Sequence, residues 1–230
     1  MLLLFDIDGT LVAGATDAHR DALHTALRQV HGVDVRDLRL SLSPAGRTDG
    51  EIARALLLDA GISALKIDEG IDSVRDACCR SYTQLCTQDL SPHVLPGMRD
   101  LLDWLAGTAG VQLALLTGNF ECVARVKLRQ AGIGHYFATG QGGFGSDSED
   151  RAALPLLARR RAGRPGVPYP REETIVIGDT PRDIACARTD GVRCIAVATG
   201  PYRAEQLSDA DAVVVNAVAL QAALRELVAA

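Results

Sequence analysis

Short apolar runs alternate along the chain with longer stretches of helical periodicity. The apolar runs are continuous rather than alternating, which favours strands covered on both faces, as in a parallel sheet. They span residues 2–5, 111–116, 174–177, 194–198 and 212–215. Helical spacing covers residues of about 97–106, 119–131, 149–162, 180–189 and 217–229. This alternation predicts an α/β fold with a doubly wound parallel sheet.

One segment, residues 15–92, interrupts the alternation. It shows no strand pattern and favours helices at about 17–31, 49–60 and 67–87. Gly32 and Gly61 stand where helices commonly end. Two prolines and a glycine in residues 91–97 suit a stiff linker back to the sheet. We therefore expect a core domain of residues 1–14 and 93–230, with an inserted α-helical cap domain of residues 15–92.

Composition and charge narrow the class of protein. The chain has 230 residues, of which 47% are hydrophobic and 23% charged, as in ordinary globular proteins. The net charge of −5 gives no broad basic face, so nucleic acid is not an expected partner. No apolar stretch approaches the roughly 18 residues of a membrane span, and we expect no membrane association. Six cysteines without a CxxC pair predict free, mostly buried thiols and a cytoplasmic location.

The first chemical signal, Asp6-Ile7-Asp8-Gly9-Thr10, directly follows the first predicted strand. The two carboxylates are two residues apart, so in extended backbone they begin on the same face. Burying such a pair at the end of a strand costs free energy unless a cation or a substrate binds it. Open α/β sheets bind ligands at this end of their strands. A polar turn after the strand is the alternative, and the motif favours a ligand site over it even when taken alone.

Two further motifs follow the second and third predicted strands. Thr117, Gly118 and Asn119 offer a hydroxyl, a bare amide and a helix N-terminus, which together suit an anion. Taken alone, an ordinary N-cap at Asn119 explains them more simply. Asp179 and Asp183 are four residues apart in Gly-Asp-Thr-Pro-Arg-Asp, so they share a face if both are helical. The helix dipole alone also favours an acidic residue at position 183.

In this order and spacing, the Asp-x-Asp-Gly-Thr and Gly-Asp-Thr-Pro-x-Asp runs resemble the haloacid dehalogenase-like (HAD) superfamily, in its phosphatase branch with an inserted cap. The resemblance extends from residue 2 to about residue 217. It implies a Rossmann-like core and Mg²⁺-dependent hydrolysis of a small phosphorylated metabolite, such as a phosphoglycolate-like molecule or a sugar phosphate. A covalent aspartyl-phosphate would divide that reaction into two easier steps.

The resemblance also implies roles for the acidic residues. Asp6 would be the nucleophile, and Asp8 would act as general acid and then as general base. Mg²⁺ would bind the Asp6 carboxylate, the Asp8 backbone carbonyl and Asp179. Asp183 would orient metal-bound water or the basic residue. These roles are physically consistent, because a cation that bridges carboxylate and phosphate lowers their mutual repulsion.

The expected substrate-binding residues are Gly9, Thr117, Gly118 and Asn119, which would surround the phosphoryl group. Gly9 permits close approach of the backbone. Arg47, in the loop before the second helix of the insertion, is a candidate for binding a second anionic group of the substrate. A solvated loop arginine explains Arg47 equally well.

The chain departs from the family pattern at its basic residue. The family usually has a lysine before the last motif, but the only lysines here are Lys66 and Lys127, and neither lies there. Lys127 follows the second motif and is too far along the helix to be the default choice. Arg151, at the start of a predicted helix, is the best match, although arginine is not a neutral replacement for lysine. A surface arginine paired with nearby acids is the alternative.

Three other functions remain open. A true haloacid dehalogenase is one, but Asp8 and Asp179 argue against it. A phosphomutase is another, although no residue set in the insertion identifies a bisphosphate site. The third is a catalytically weak binding domain, which only the missing lysine supports.

Overall fold

The computed structural model describes residues 1–36 and 43–228. Within them, six strands form one parallel sheet in the order β3-β2-β1-β4-β5-β6. The strands are β1 (Leu2–Phe5), β2 (Gln112–Thr117), β3 (Gly143–Phe144), β4 (Thr174–Gly178), β5 (Arg193–Val197) and β6 (Ala212–Val214). The predicted doubly wound α/β fold is confirmed.

Helices cover both faces of the sheet, which explains the continuous apolar runs. Leu3 and Phe5 of β1 belong to a core shared with α4, α5 and α8, whereas Leu2 and Leu4 face a core shared with α6 and α7. The helices are α1 (Asp17–His31), α2 (Asp49–Asp59), α3 (Ala64–Leu85), α4 (Met98–Ala106), α5 (Glu121–Gln130), α6 (Leu154–Ala162), α7 (Pro181–Asp190) and α8 (Ala217–Val228). Residue 229, the last of the helix predicted at 217–229, lies outside the described residues.

The strand order places three chain segments side by side. β1 lies between β2 and β4, and Phe5 is in register with both Leu115 and Ile177. The chain therefore winds outward from β1 in both directions, which makes the carboxyl end of β1 a switch point of the sheet. Open α/β sheets bind ligands in the crevice at such a point.

Strand β3 is absent from the predicted elements. It contains only Gly143 and Phe144, which pair with Leu116 and Thr117 at the end of β2. Two residues beside a glycine-rich turn show neither an apolar run nor alternation, so no pattern was present to indicate a strand. The helix predicted at 149–162 also differs, because residues 151–153 form a 3₁₀ turn before α6 begins.

Among the described residues, the α-helices α1 to α3 lie between β1 and α4, within the segment of residues 15–92 that is called the insertion below. Helices α1 and α3 pack along each other. The two chain segments that connect the insertion to the sheet run side by side. The Ala13 amide donates to the His93 carbonyl at 2.9 Å, and the Leu95 amide donates to the Leu11 carbonyl at 3.0 Å.

A disulfide bond joins Cys79 of α3 to Cys122 of α5, with their Cα atoms 5.7 Å apart. The prediction of free thiols is therefore wrong for this pair. Packing of α3 against α5 brings together two cysteines that are 43 residues apart, which spacing in the sequence does not reveal. The remaining cysteines are free and buried, as predicted; they are Cys78, Cys86, Cys186 and Cys194. Cysteine content alone thus no longer supports the expected cytoplasmic location.

Among the described residues, we find no helix with both the length and the apolar character that crossing a membrane requires.

Candidate active site

The loop after β1 carries the first two predicted acidic residues toward the end of β4. The Asp6 amide donates to the Ile177 carbonyl at 2.9 Å, and the residue is only 4% exposed. Gly9 has a φ of +85°, and a Cβ there would lie 2.2 Å from Asp179 Oδ2. Glycine is therefore required at position 9, because any side chain would displace the carboxylate at the end of β4.

Three buried carboxylates form a cluster at this edge of the sheet. Asp6, Asp179 and Asp183 each offer one oxygen, and these oxygens all lie within 4.8 Å of one another. Burial raises the pKa of Asp6 to about 7, and Asp183 and Asp8 add to the increase while Arg151 opposes it. Burial also raises the pKa of Asp179 to about 8, with further contributions from the charges of Asp6 and Asp183. The chain's own groups therefore do not fully compensate this negative charge.

Two of the three carboxylates fit a divalent cation. Asp179 accepts a hydrogen bond from the Thr10 hydroxyl at 3.2 Å through Oδ1, but its buried Oδ2 has no hydrogen-bond partner among the described residues. Asp183 is instead fully engaged, since Thr180 donates to its Oδ2 at 2.7 Å and Arg151 to its Oδ1. Hard cations such as Mg²⁺ prefer carboxylate oxygens. The unpartnered oxygen of Asp179, beside Asp6, is where a cation would supply the missing charge.

Arg151 provides the positive charge next to Asp6. It is 5% exposed, its Nη2 lies 3.3 Å from Asp6 Oδ1, and the same nitrogen donates to Asp183. Burial alone would lower the pKa of Arg151, but the two carboxylates outweigh it and hold the pKa well above its usual value. Arg151 is therefore not a surface arginine, and Asp183 is its hydrogen-bonded partner.

Lys127 contacts the site residues Asp8 and Asn119, which the sequence interpretation did not foresee. It is fully buried, and its Nζ donates to Asp8 Oδ1 at 2.7 Å, to Asp8 Oδ2 at 2.8 Å and to Asn119 Oδ1 at 3.1 Å. Burial raises the pKa of Asp8, but Lys127 and then His19 outweigh it, so the pKa lies below its usual value.

Arg151, not Lys127, lies beside Asp6, and the contact of Lys127 with Asp8 is a separate one that the sequence interpretation did not include. A helical side chain leans toward the N-terminus of its helix, so Lys127 reaches back toward the start of α5. One signal was available in the sequence. Val123 and Lys127 are four residues apart on the buried face of α5, where a lysine is out of place.

The loop after β2 brings the predicted phosphate-binding residues next to Asp8. Thr117 is buried, and its Oγ1 accepts a hydrogen bond from the Asn119 amide at 3.2 Å. Asn119 Nδ2 donates to Asp8 Oδ2 at 3.1 Å. A Cβ on Gly118 would lie 2.0 Å from the Arg47 carbonyl oxygen, so only glycine permits this approach of the insertion.

The insertion is docked on the same loop. The Asp49 amide donates to the Gly118 carbonyl at 2.8 Å, and the Phe120 amide donates to Asp49 Oδ2 at 2.7 Å. Arg47 reaches the site through its backbone, but its guanidinium pairs with Glu51 and donates to the Ser43 carbonyl. The side chain proposed to select a second anionic group therefore already has a carboxylate partner.

These elements line a cavity of about 1010 Å³ between the sheet and the insertion. Every predicted site residue except Asp183 lines it, and His19 and His24 of α1 are among the other lining residues. Lys127 lies behind the wall. The carboxylates of Asp6, Asp8 and Asp179 thus face one cavity, an arrangement that could serve nucleophilic attack by a carboxylate.

Residues 3–188 match the sequence profile of the haloacid dehalogenase-like hydrolases. The chain therefore belongs to that family, as its motifs imply. Within the family it is an enzyme of the phosphatase group, since its curated relatives are phosphatases. A phosphoglycolate phosphatase of Pseudomonas fluorescens is 29% identical over 208 residues, covering 86% of this chain and 70% of the relative. One from Chromobacterium violaceum is 30% identical over 198 residues, covering 85% and 84%.

Solved structures share the fold at lower identity. The β-phosphoglucomutase of Clostridium difficile has a TM-score of 0.70 at 18% identity, covering all of this chain and 99% of that one. CbbY of Rhodobacter sphaeroides in complex with phosphate has a TM-score of 0.66 at 22% identity, covering 95% of both chains.

Proposed function

We propose that this chain is a Mg²⁺-dependent phosphatase that hydrolyses a small phosphorylated metabolite through an aspartyl-phosphate on Asp6. One observation carries the proposal. The Asp6 carboxylate is buried at the switch point of the sheet, faces the cavity, and lies beside both Arg151 and the partnerless oxygen of Asp179. A nucleophile, a fixed cation and a metal ligand in one enclosed site are the requirements of phosphoryl transfer.

Asp6 attacks the phosphorus atom, and the bond to the leaving oxygen breaks as the bond to the carboxylate oxygen forms. Asp8 gives a proton to the leaving alcohol. Asp8 then takes a proton from water, which attacks the same phosphorus atom and restores the Asp6 carboxylate. Arg151 neutralises the negative charge at Asp6 throughout. The hydroxyl of Thr117 and the loop of Gly118 and Asn119 hold the phosphoryl oxygens.

Mg²⁺ would be held by the Asp6 carboxylate, the Asp8 backbone carbonyl and Asp179. When bound, it supplies positive charge between the attacking carboxylate and the phosphate. Asp179 contributes most directly, because its free oxygen is already buried at the cluster. Gly9 keeps the β1 loop close enough to Asp179 for both segments to contribute ligands.

The substrate is a small molecule, because the insertion acts as a cap (residues 15–92) over the core (residues 1–14 and 93–230). The cap encloses the cavity through the contacts of Asp49 with the loop after β2. The phosphoglycolate phosphatases among the relatives make a phosphorylated short carboxylic acid the first substrate to test. The carboxylate of such a substrate would compete with Glu51 for the Arg47 guanidinium.

The test is hydrolysis of 4-nitrophenyl phosphate and of 2-phosphoglycolate with Mg²⁺, with a chelator, and with the Asp6→Asn variant. We expect Mg²⁺-dependent phosphate release that Asp6→Asn abolishes. Asp209→Asn, on an exposed side chain, is the matched control and should keep full activity. Turnover that survives chelation or Asp6→Asn would overturn the proposal. Halide release from a 2-haloacid without metal would favour a dehalogenase, and isomerisation without phosphate release would favour a mutase.

A further inference from the structure

The two catalytic carboxylates have separate cations. Arg151 contacts Asp6, whereas Lys127 contacts Asp8. The two basic residues come from different elements, the 3₁₀ turn before α6 and the middle of α5. Arg151 lines the cavity but Lys127 does not. In the part of the chain that the structure describes, the polar contacts of the Lys127 ammonium group with the site are therefore those with Asp8 and Asn119.

The ammonium group of Lys127 uses all of its hydrogen-bond donors within the site. An ammonium group has three N–H donors and no acceptor, and here all three donors are used, two on the Asp8 carboxylate and one on Asn119 Oδ1. The lysine side chain is 0% exposed, so water cannot replace any of them. A charge this deeply buried is tolerated only when it is fully paired.

The same contacts fix the two residues that face the substrate. Asn119 Nδ2 donates to Asp8 Oδ2 while Asn119 Oδ1 accepts from Lys127, so the three side chains close a ring of hydrogen bonds. This ring holds the Asp8 carboxylate against the loop after β2, where the phosphoryl group would bind. Without Lys127, the 29% exposed Asp8 side chain would be free to turn into the cavity and hydrate.

The geometry points to Lys127 as a positioning residue that holds Asp8 in place for proton transfer to the leaving group. This inference rests on the proposed function, in which Asp8 protonates the leaving alcohol. It assigns the two basic residues to separate tasks. Arg151 serves the nucleophile, and Lys127 serves the residue that transfers the proton.

The dependence of the rate on the leaving group provides the test. Lys127→Met keeps most of the side-chain volume and removes the charge, and Lys66→Met, at the only other lysine, is the exposed control. The measured quantity is kcat/KM, which reports all steps up to loss of the leaving group. An alkoxide needs a proton, whereas 4-nitrophenolate leaves readily without one. We expect Lys127→Met to lower kcat/KM for 2-phosphoglycolate at least about tenfold more than for 4-nitrophenyl phosphate.

Lys127→Arg should recover part of the loss, and Lys66→Met should match the native chain with both substrates. An equal loss with both substrates would show a merely structural role and overturn the inference, as would an unchanged Lys127→Met. If the native chain hydrolyses neither substrate, the proposed function fails instead.

Unfolding midpoints then test the positioning without any activity. We expect Asp8→Asn combined with Lys127→Met to unfold no earlier than Lys127→Met alone, because the second change removes a carboxylate that has lost its partner. Additive losses in the double variant would show that Lys127 does not hold Asp8, and would overturn the inference.

Discussion

The Cys79–Cys122 disulfide closes a loop across 43 residues of sequence, and its contribution to stability follows from that length. A cross-link removes conformational entropy from the unfolded chain, by roughly 13 cal/mol/K for a loop of this size. At 25 °C this corresponds to about 4 kcal/mol of unfolding free energy. The unfolding entropy of a chain of 230 residues is about 0.5 kcal/mol/K, so the loss equals about 8 °C in Tm.

The Cys79→Ser variant removes the disulfide. Its thermal unfolding is monitored by circular dichroism, with and without dithiothreitol, beside that of the native chain. We expect the variant to unfold about 8 °C below the native chain under oxidising conditions. Dithiothreitol should lower the native Tm to that of the variant and leave the variant unchanged. A native Tm within about 2 °C of the variant's, or a native Tm that dithiothreitol does not change, would show that the disulfide does not stabilise the chain as calculated.

The remaining predictions concern the site. Folding raises the pKa of Asp6 to about 7 and of Asp179 to about 8, so the folded chain favours their protonated forms. Without metal, their contribution to the free energy of unfolding should therefore fall as the pH rises from 3.8 to about 8. Mg²⁺ should raise Tm more at pH 8 than at pH 5, and Asp179→Asn should abolish this shift; an equal shift at both pH values would contradict the assignment. Arg151→Met leaves two buried carboxylates unpaired, so it should cost about 3–5 kcal/mol in urea unfolding and remove phosphatase activity, while Arg151→Lys retains more of both; a stable, active Arg151→Met would refute this role. Gly118→Ala places a Cβ 2.0 Å from a backbone oxygen of the insertion and should lower kcat/KM at least about tenfold. Gly107→Ala meets only ordinary contacts and should match the native chain; equal kinetics of the two variants would show that closure does not require glycine at position 118.

Much of the fold could be predicted, because buried parallel strands and amphipathic helices leave periodic patterns. The strands and helices around the site lie within a few residues of their predicted positions, and the motifs at their ends converge as strand order requires. Strand β3 was not predicted, because Gly143 and Phe144 show no hydrophobic periodicity. The contacts of Lys127 and the Cys79–Cys122 disulfide were not predicted for another reason, since both depend on how α5 packs against distant segments of the chain. Tertiary packing of this kind has no local signature in one sequence.

The two chain segments that connect the insertion to the sheet run side by side, so the Cys79–Cys122 disulfide affects how the insertion can move. The segments at Ala13 and His93 are hydrogen-bonded neighbours, so together they form one joint about which the insertion could swing. The bond between Cys79 and Cys122 adds a second fixed point, on the helices α3 and α5. A body held at one joint keeps a rotational degree of freedom, and a second attachment removes it. In the oxidised chain, this bond adds a covalent restraint to the Asp49 contacts that dock the insertion on the loop after β2, whereas in the reduced chain only non-covalent contacts oppose the swing of the insertion.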